Sequence, residues 1–151
     1  MHSPTLSRSI LVTLIAVLGC CPAFSAPKQK PSGGDSDVRW GTDFDAAVKL
    51  AKKTKRDLLV DFFATWCGPC KMLDKTTYKD PQVKKFLSKF VLVKLDVDIP
   101  KNRLVVRYYE ASSLPSVGII TAAGKFKGGF VGYRPPEEFV GTLMPFLQNK
   151  S

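Results

Sequence analysis

Leu58 to Ala64 is apolar at every position but Asp61, and Val91 to Val97 repeats the pattern with Lys94 and Asp96 as its polar members. Apolar runs of this length, without strict alternation, predict strands buried on both faces of a sheet with parallel neighbours. Ahead of the first run, Phe44, Ala47, Val48 and Ala51 recur at helical spacing behind Asp43, a capping residue, and Lys52 to Lys55 bring positive charge to the last turn. A second helix is expected from the cysteines at 67 and 70 to about Tyr78. Asp80-Pro81 interrupts and restarts it, aspartate at the cap and proline at the first helical position, leaving a short piece over Val83 to Leu87. Leu104 to Tyr109 reads as a helix beyond Pro100, and Ser116–Thr121 with Lys127–Val131 as a hairpin around the turn formers Ala123-Gly124. Pro135-Pro136-Glu137-Glu138 opens a last helix to about Leu147, which Gly141 and Pro145 should weaken or kink. Helices and strands in this order make an α/β domain.

The first 25 residues follow another logic. A short segment carrying Arg8 precedes an apolar stretch from Ile10 to Leu18, then Gly19 and Pro22. That is the pattern of a secretion signal, with an apolar stretch about half of the roughly 20 residues a membrane span needs. Two processing patterns overlap. Small residues in Ala23-Phe24-Ser25 suit cleavage after Ser25, whereas Val17-Leu18-Gly19-Cys20 resembles a bacterial lipoprotein box that would put a lipid on Cys20. Residues 26–37 hold Ser, Gly, two prolines and two lysines without apolar periodicity, the composition of a flexible linker with a coil span of about 20 Å. The expected organisation is therefore signal 1–25, linker 26–37 and one domain over 38–151.

At 151 residues the chain suffices for one domain with a core. Its formal charge is +10, of which residues 1–25 hold one positive charge, Arg8, and no acid, so the rest keeps +9. The lysines and arginines are spread rather than gathered into a stripe with stacking aromatics, which argues against nucleic acid and for a solvated surface.

Candidate chemistry concentrates where the first strand ends, in Trp66-Cys67-Gly68-Pro69-Cys70-Lys71. Two cysteines three apart at a strand-to-helix turn are close enough to form a disulfide, Cys67-Cys70. The first sits where unpaired helix N–H groups favour a thiolate, so Cys67 should attack and Cys70, one turn inside and shielded, should resolve the mixed disulfide. Other roles fit less well. Tetrahedral zinc needs four ligands, and a chain processed after Ser25 keeps two cysteines and no histidine. Haem attachment would need histidine where Lys71 stands. A purely structural bridge across two residues closes too small a loop to stabilise much. Asp61, inside an apolar strand, needs a partner or a raised pKa. Trp66 should flank the reactive sulfur as an exposed apolar contact, with core packing as its alternative, and Phe62 and Phe63 read as core.

Taken together, the cysteine motif, Asp61 six residues before it, Lys94 in the next strand, Pro115 entering the hairpin and Gly132 in the turn before the last helix resemble the thioredoxin fold from about Val38 to Gln148. Tyr78-Lys79-Asp80-Pro81-Gln82-Val83 is similar to the pattern in the reducing C-terminal domains of DsbD-type periplasmic interchange proteins and of small secreted relatives. The resemblance implies a central mixed sheet flanked by helices and an extracytoplasmic thiol–disulfide oxidoreductase without cofactor or metal. It implies that Asp61 relays a proton to or from Cys70, that Lys94 tunes Asp61, and that Gly68 and Pro69 complete the active-site loop. Leu114, a cis Pro115 and Gly132 would bind substrate. Asp61 paired for structure alone, Lys94 as a surface residue and Pro115 as an ordinary trans proline are the simpler alternatives. Gly68-Pro69 resembles the dipeptide of reducing thioredoxins, so the expected activity is reduction of disulfides in extracytoplasmic proteins by a monomer recharged by an upstream thiol reductant, one that is itself membrane-bound in some such systems. A disulfide oxidase or isomerase with the same cysteines, or a non-catalytic binding module, is the alternative.

Overall fold

The computed structural model describes residues Val38–Gln148. The expected signal, Cys20 and the 26–37 linker lie outside the described residues.

Five helices and four strands follow one another as α1 (Phe44–Thr54), β1 (Leu58–Phe63), α2 (Gly68–Lys75), α3 (Pro81–Leu87), β2 (Val91–Asp96), α4 (Arg103–Tyr108), β3 (Ser116–Ile120), β4 (Phe126–Val131) and α5 (Pro136–Gln148), with 3-10 turns at Thr77–Lys79 and Pro100–Asn102. The sheet order is β2-β1-β3-β4. β1 runs parallel to β2, with Asp61 opposite Lys94, and antiparallel to β3, with Asp61 opposite Val117. The mixed central sheet flanked by helices is the thioredoxin fold.

Alternation along the central strands sorts the core into two layers. Leu58, Val60 and Phe62 of β1 join Val91, Val93 and Leu95 of β2 against Ala47 and Ala51 of α1 and, at the margin, Val105 and Val106 of α4. Leu59 and Leu92 turn the other way, against Leu73 of α2, Val83, Phe86 and Leu87 of α3, and Phe139 and Leu143 of α5. Asp61 and Lys94 belong to this second face. Phe63 does too, but it lies at the strand end and is half-buried rather than core. On the outer edge of β2, the Gly41 N–H donates to the Leu92 carbonyl and the Lys94 N–H donates to the Gly41 carbonyl, each at 2.9 Å. That single bridge brings Trp40 alongside Lys94.

Helix ends follow local chemistry. The Asp43 carboxylate accepts the Ala46 N–H at 2.9 Å, and Asp80 accepts those of Gln82 and Val83 at 2.8 and 3.0 Å. One expectation is corrected. The helix after the cysteines stops at Lys75, because Thr76 turns its hydroxyl onto the Met72 carbonyl and Thr77 sends its own to the Arg134 carbonyl, both at 2.7 Å. Tyr78 therefore sits in a 3-10 turn. α5 spans Pro136–Gln148 continuously with Pro145 inside it, and Phe139 and Leu143 are fully buried. Among the described residues no helix is long and apolar enough to cross a membrane.

Candidate active site

Cys67 is the N-cap of α2, in extended conformation at φ −73° and ψ 106°, with Gly68 and Pro69 as the first helical residues. Proline suits that position because its missing N–H would be unpaired there anyway. The turn folds the Cys67 sulfur back over the helix start, where it accepts the Cys70 N–H at 3.2 Å. The two cysteines form a disulfide with their Cα atoms 5.3 Å apart. An N–H and the positive end of the helix both favour a negative charge on this sulfur once the bond is reduced.

Both cysteines are buried, Cys67 at 4% and Cys70 at 2% exposure, so exposure alone does not separate their roles. Their surroundings do. A groove lined by Trp66, Cys67, Gly68, Pro69, Ser112 and Leu114 reaches the first cysteine and not the second. Trp66 is 68% exposed on the rim, held by its indole N–H donating to Asp98 Oδ2 at 2.8 Å. The Leu114–Pro115 peptide is cis. The Pro115 carbonyl accepts the Gly132 N–H at 2.8 Å, and Gly132 adopts φ +89°, where a side chain would be strained. Of the three residues expected to bind substrate, Leu114 lines the groove, whereas Pro115 and Gly132 are tied to each other and do not.

Beneath the sheet surface lies a polar cluster in an apolar layer. Asp61 is fully buried. Its Oδ2 accepts the Tyr78 hydroxyl at 3.0 Å and faces Lys94 Nζ at 3.3 Å, while Oδ1 has no hydrogen-bond partner among the described residues. Burial raises the Asp61 pKa from its ordinary 3.8 to about 6, against the opposing pull of Lys94 and of the Tyr78 hydrogen bond. Burial, and then the neighbouring Asp61, push the Tyr78 phenol well above its usual range. Lys94 also pairs with Asp74 of α2 and lies over three rings, with Nζ 4.9 Å from the centroid of Phe63, 5.4 Å from Tyr78 and 5.7 Å from Trp40. Phe63, two residues along the same face of β1 from Asp61, packs against the cysteine pair.

Trp40, Asp74 and Asp98 stand in no motif of the sequence, and Tyr78 enters it only as the first residue of the Tyr78–Val83 pattern, not as a member of the site. One signal was available: Asp61 places a carboxylate inside the apolar run Leu58–Ala64, and such a group must find a donor from elsewhere in the fold.

A disulfide at a helix start, a cis-proline loop beside it and a buried aspartate–lysine pair under one mixed sheet define a dithiol oxidoreductase site of thioredoxin type. The chain belongs to the thioredoxin-like family, whose model matches residues 39–122, and it is a thiol–disulfide oxidoreductase. It is similar to thioredoxin from Staphylococcus epidermidis, with 34% identity over 102 residues covering 68% of this chain and 88% of the relative. It is also similar to the thiol:disulfide interchange protein DsbD from Ralstonia nicotianae, with 30% identity over 109 residues covering 70% of this chain and 18% of that longer relative. Among solved structures, a thioredoxin from Thermus thermophilus aligns with TM-score 0.66 and 27% identity, covering 74% of this chain and 88% of the other.

Proposed function

We propose that this protein reduces disulfides in extracytoplasmic proteins and is recharged by an upstream thiol reductant. The observation that carries the chemistry is the Cys67 sulfur at the start of α2, accepting the Cys70 N–H at 3.2 Å and facing a groove that Cys70 does not reach. In the reduced protein the Cys67 thiolate attacks one sulfur of a client disulfide. The client bond breaks, its departing thiolate takes up a proton, and a mixed disulfide forms. Asp61 then accepts the Cys70 proton, and the Cys70 thiolate attacks the Cys67 sulfur. The second client thiol leaves, and two electrons have passed from the Cys67–Cys70 pair to the client. Lys94 sets the charge balance at Asp61 from 3.3 Å. Leu114, with Trp66, Gly68 and Pro69, shapes the groove that admits an extended client segment, and Pro115 and Gly132 hold that loop in place.

Extracytoplasmic placement rests on the N-terminal pattern around Arg8, Ile10–Leu18 and Ser25, with Cys20 as an alternative lipid site, and on the similarity to part of DsbD. The domain organisation proposed is signal 1–25, linker 26–37 and the redox domain over 38–151. The reducing direction rests on Gly68-Pro69 and on the similarity to thioredoxins. An oxidase or isomerase would use the same cysteines, so the deciding measurement is the reduction potential together with insulin reduction. A potential well above that of the glutathione pool, with oxidation of a reduced peptide, refutes the reductase reading. Cys70→Ala should trap clients as mixed disulfides on Cys67. A variant that traps nothing yet supports function in vivo would instead mark a binding module. Mass spectrometry of the mature N-terminus distinguishes Ser25 cleavage from a lipid on Cys20.

A further inference from the structure

We propose that Tyr78 is a positioning residue for proton transfer at this site: its hydroxyl, together with the Lys94 ammonium, occupies Oδ2 of Asp61 and leaves Oδ1 as the atom that takes and returns the proton. The inference rests on the relay reading of Asp61 above and adds to it a residue and an atom. The Tyr78 O–H donates to Oδ2 at 3.0 Å and Lys94 Nζ lies 3.3 Å from the same oxygen, while Oδ1 is buried with no hydrogen-bond partner among the described residues. A carboxylate approached by two donors on one oxygen concentrates its charge there, so an incoming proton goes to the other oxygen. Tyr78 is well placed to enforce this. It is 5% exposed, and its ring is clamped by Trp40 at 5.0 Å and Phe139 at 5.7 Å between centroids, which leaves the hydroxyl little freedom to leave Asp61. The phenol is a fixed donor, since burial and the adjacent carboxylate hold its own proton in place.

The charged and titratable groups that act on Asp61 are Lys94 from β2, Asp74 from α2 and Tyr78 itself. β3 and α5 present Val117 and Phe139. A shift on removing the Tyr78 hydroxyl therefore reads that one bond against a constant background.

The test follows single-turnover reduction of insulin by the reduced full chain as a function of pH, in wild type, Asp61→Asn and Tyr78→Phe. In the wild type the rate should rise through a midpoint near 6, the Asp61 value. Asp61→Asn should abolish that limb. If the limb persists, the relay reading falls and this inference with it. Tyr78→Phe keeps the ring between Trp40 and Phe139 but removes the donor, and should move the midpoint up by about one to two pH units, the worth of a hydrogen bond to a charged group. A midpoint that stays put in Tyr78→Phe while Asp61→Asn abolishes the limb overturns the role of Tyr78 and leaves the relay intact. The atom assignment has its own signature. With the proton on Oδ1, Oδ2 is the carbonyl that accepts the Tyr78 O–H, so the isotope-edited C=O stretch of protonated Asp61 should move to higher wavenumber in Tyr78→Phe. An unmoved stretch places the proton on Oδ2 and refutes the assignment. Should Tyr78→Phe fold poorly, 3-fluorotyrosine at position 78 keeps the shape and strengthens the donor. It should lower the midpoint, and no change there overturns the proposal.

Discussion

Replacing Asp61 by Asn should stabilise the oxidised protein at neutral pH by about 3 kcal/mol, and the gain should fade in acid. Asp61 is fully buried, and its pKa stands at about 6 against an ordinary 3.8. The folded state therefore holds the Asp61 proton more tightly than the unfolded chain does. Stability tied to this group is complete below the unfolded pKa and is lost as pH rises through the folded one. A difference of roughly two units corresponds to about 3 kcal/mol at full ionisation, with no discount for solvent screening because the carboxylate is buried. Asn reproduces the neutral form. Its side-chain oxygen can still accept the Tyr78 hydroxyl, and Lys94 keeps Asp74 as a partner, so the substitution strands no charge. Urea unfolding of both proteins at constant oxidation state measures the difference. It should be about 3 kcal/mol at pH 7.5, roughly half that at pH 5, and near zero by about pH 3.5. If Asp61→Asn is no more stable than wild type at pH 7.5, or if its advantage is the same at every pH, burial does not govern this carboxylate.

Three further outcomes are expected. Lys94→Met removes the charge that opposes the effect of burial on Asp61, so the carboxyl midpoint, read by carbon NMR of the aspartate side chain, should move up from about 6; an unmoved or lowered value would contradict the pairing. Gly129→Ala places a Cβ 2.1 Å from the Val117 carbonyl oxygen across the β3–β4 ladder, and should destabilise the domain by about 1–3 kcal/mol in urea unfolding. Asp80→Ala removes the cap that accepts the Gln82 and Val83 N–H groups, and should cost about 1 kcal/mol without changing the rate of insulin reduction.

Much of the site was legible because its geometry is local. Cys67, Gly68, Pro69 and Cys70 lie within one turn, so strand end, cap and helix start together dictate that the sulfurs meet. Asp43 and Asp80 cap helices for the same reason. The resemblance also identified Asp61, Lys94 and Pro115 as members of one constellation. It did not reveal that Gly132 is tied to Pro115 rather than facing the groove, or that Lys94 is shared with Asp74 and covered by three rings. Phe63 reads as core by composition, yet the strand ends there and the side chain is only partly buried.

Sequence alone determined the elements, because apolar runs, helical spacing and caps act over a few residues and are written in their order along the chain. It determined the reactive pair for the same reason. Tertiary structure decided the partners. Tyr78 reaches Asp61 across 17 residues, Lys94 reaches Asp74 across 20 and Trp66 reaches Asp98 across 32, each through packing of separate elements against the sheet. No periodicity encodes which buried donor meets which acceptor. That choice is made when the layers close, water leaves, and the polar groups left inside bond to what the register has placed beside them.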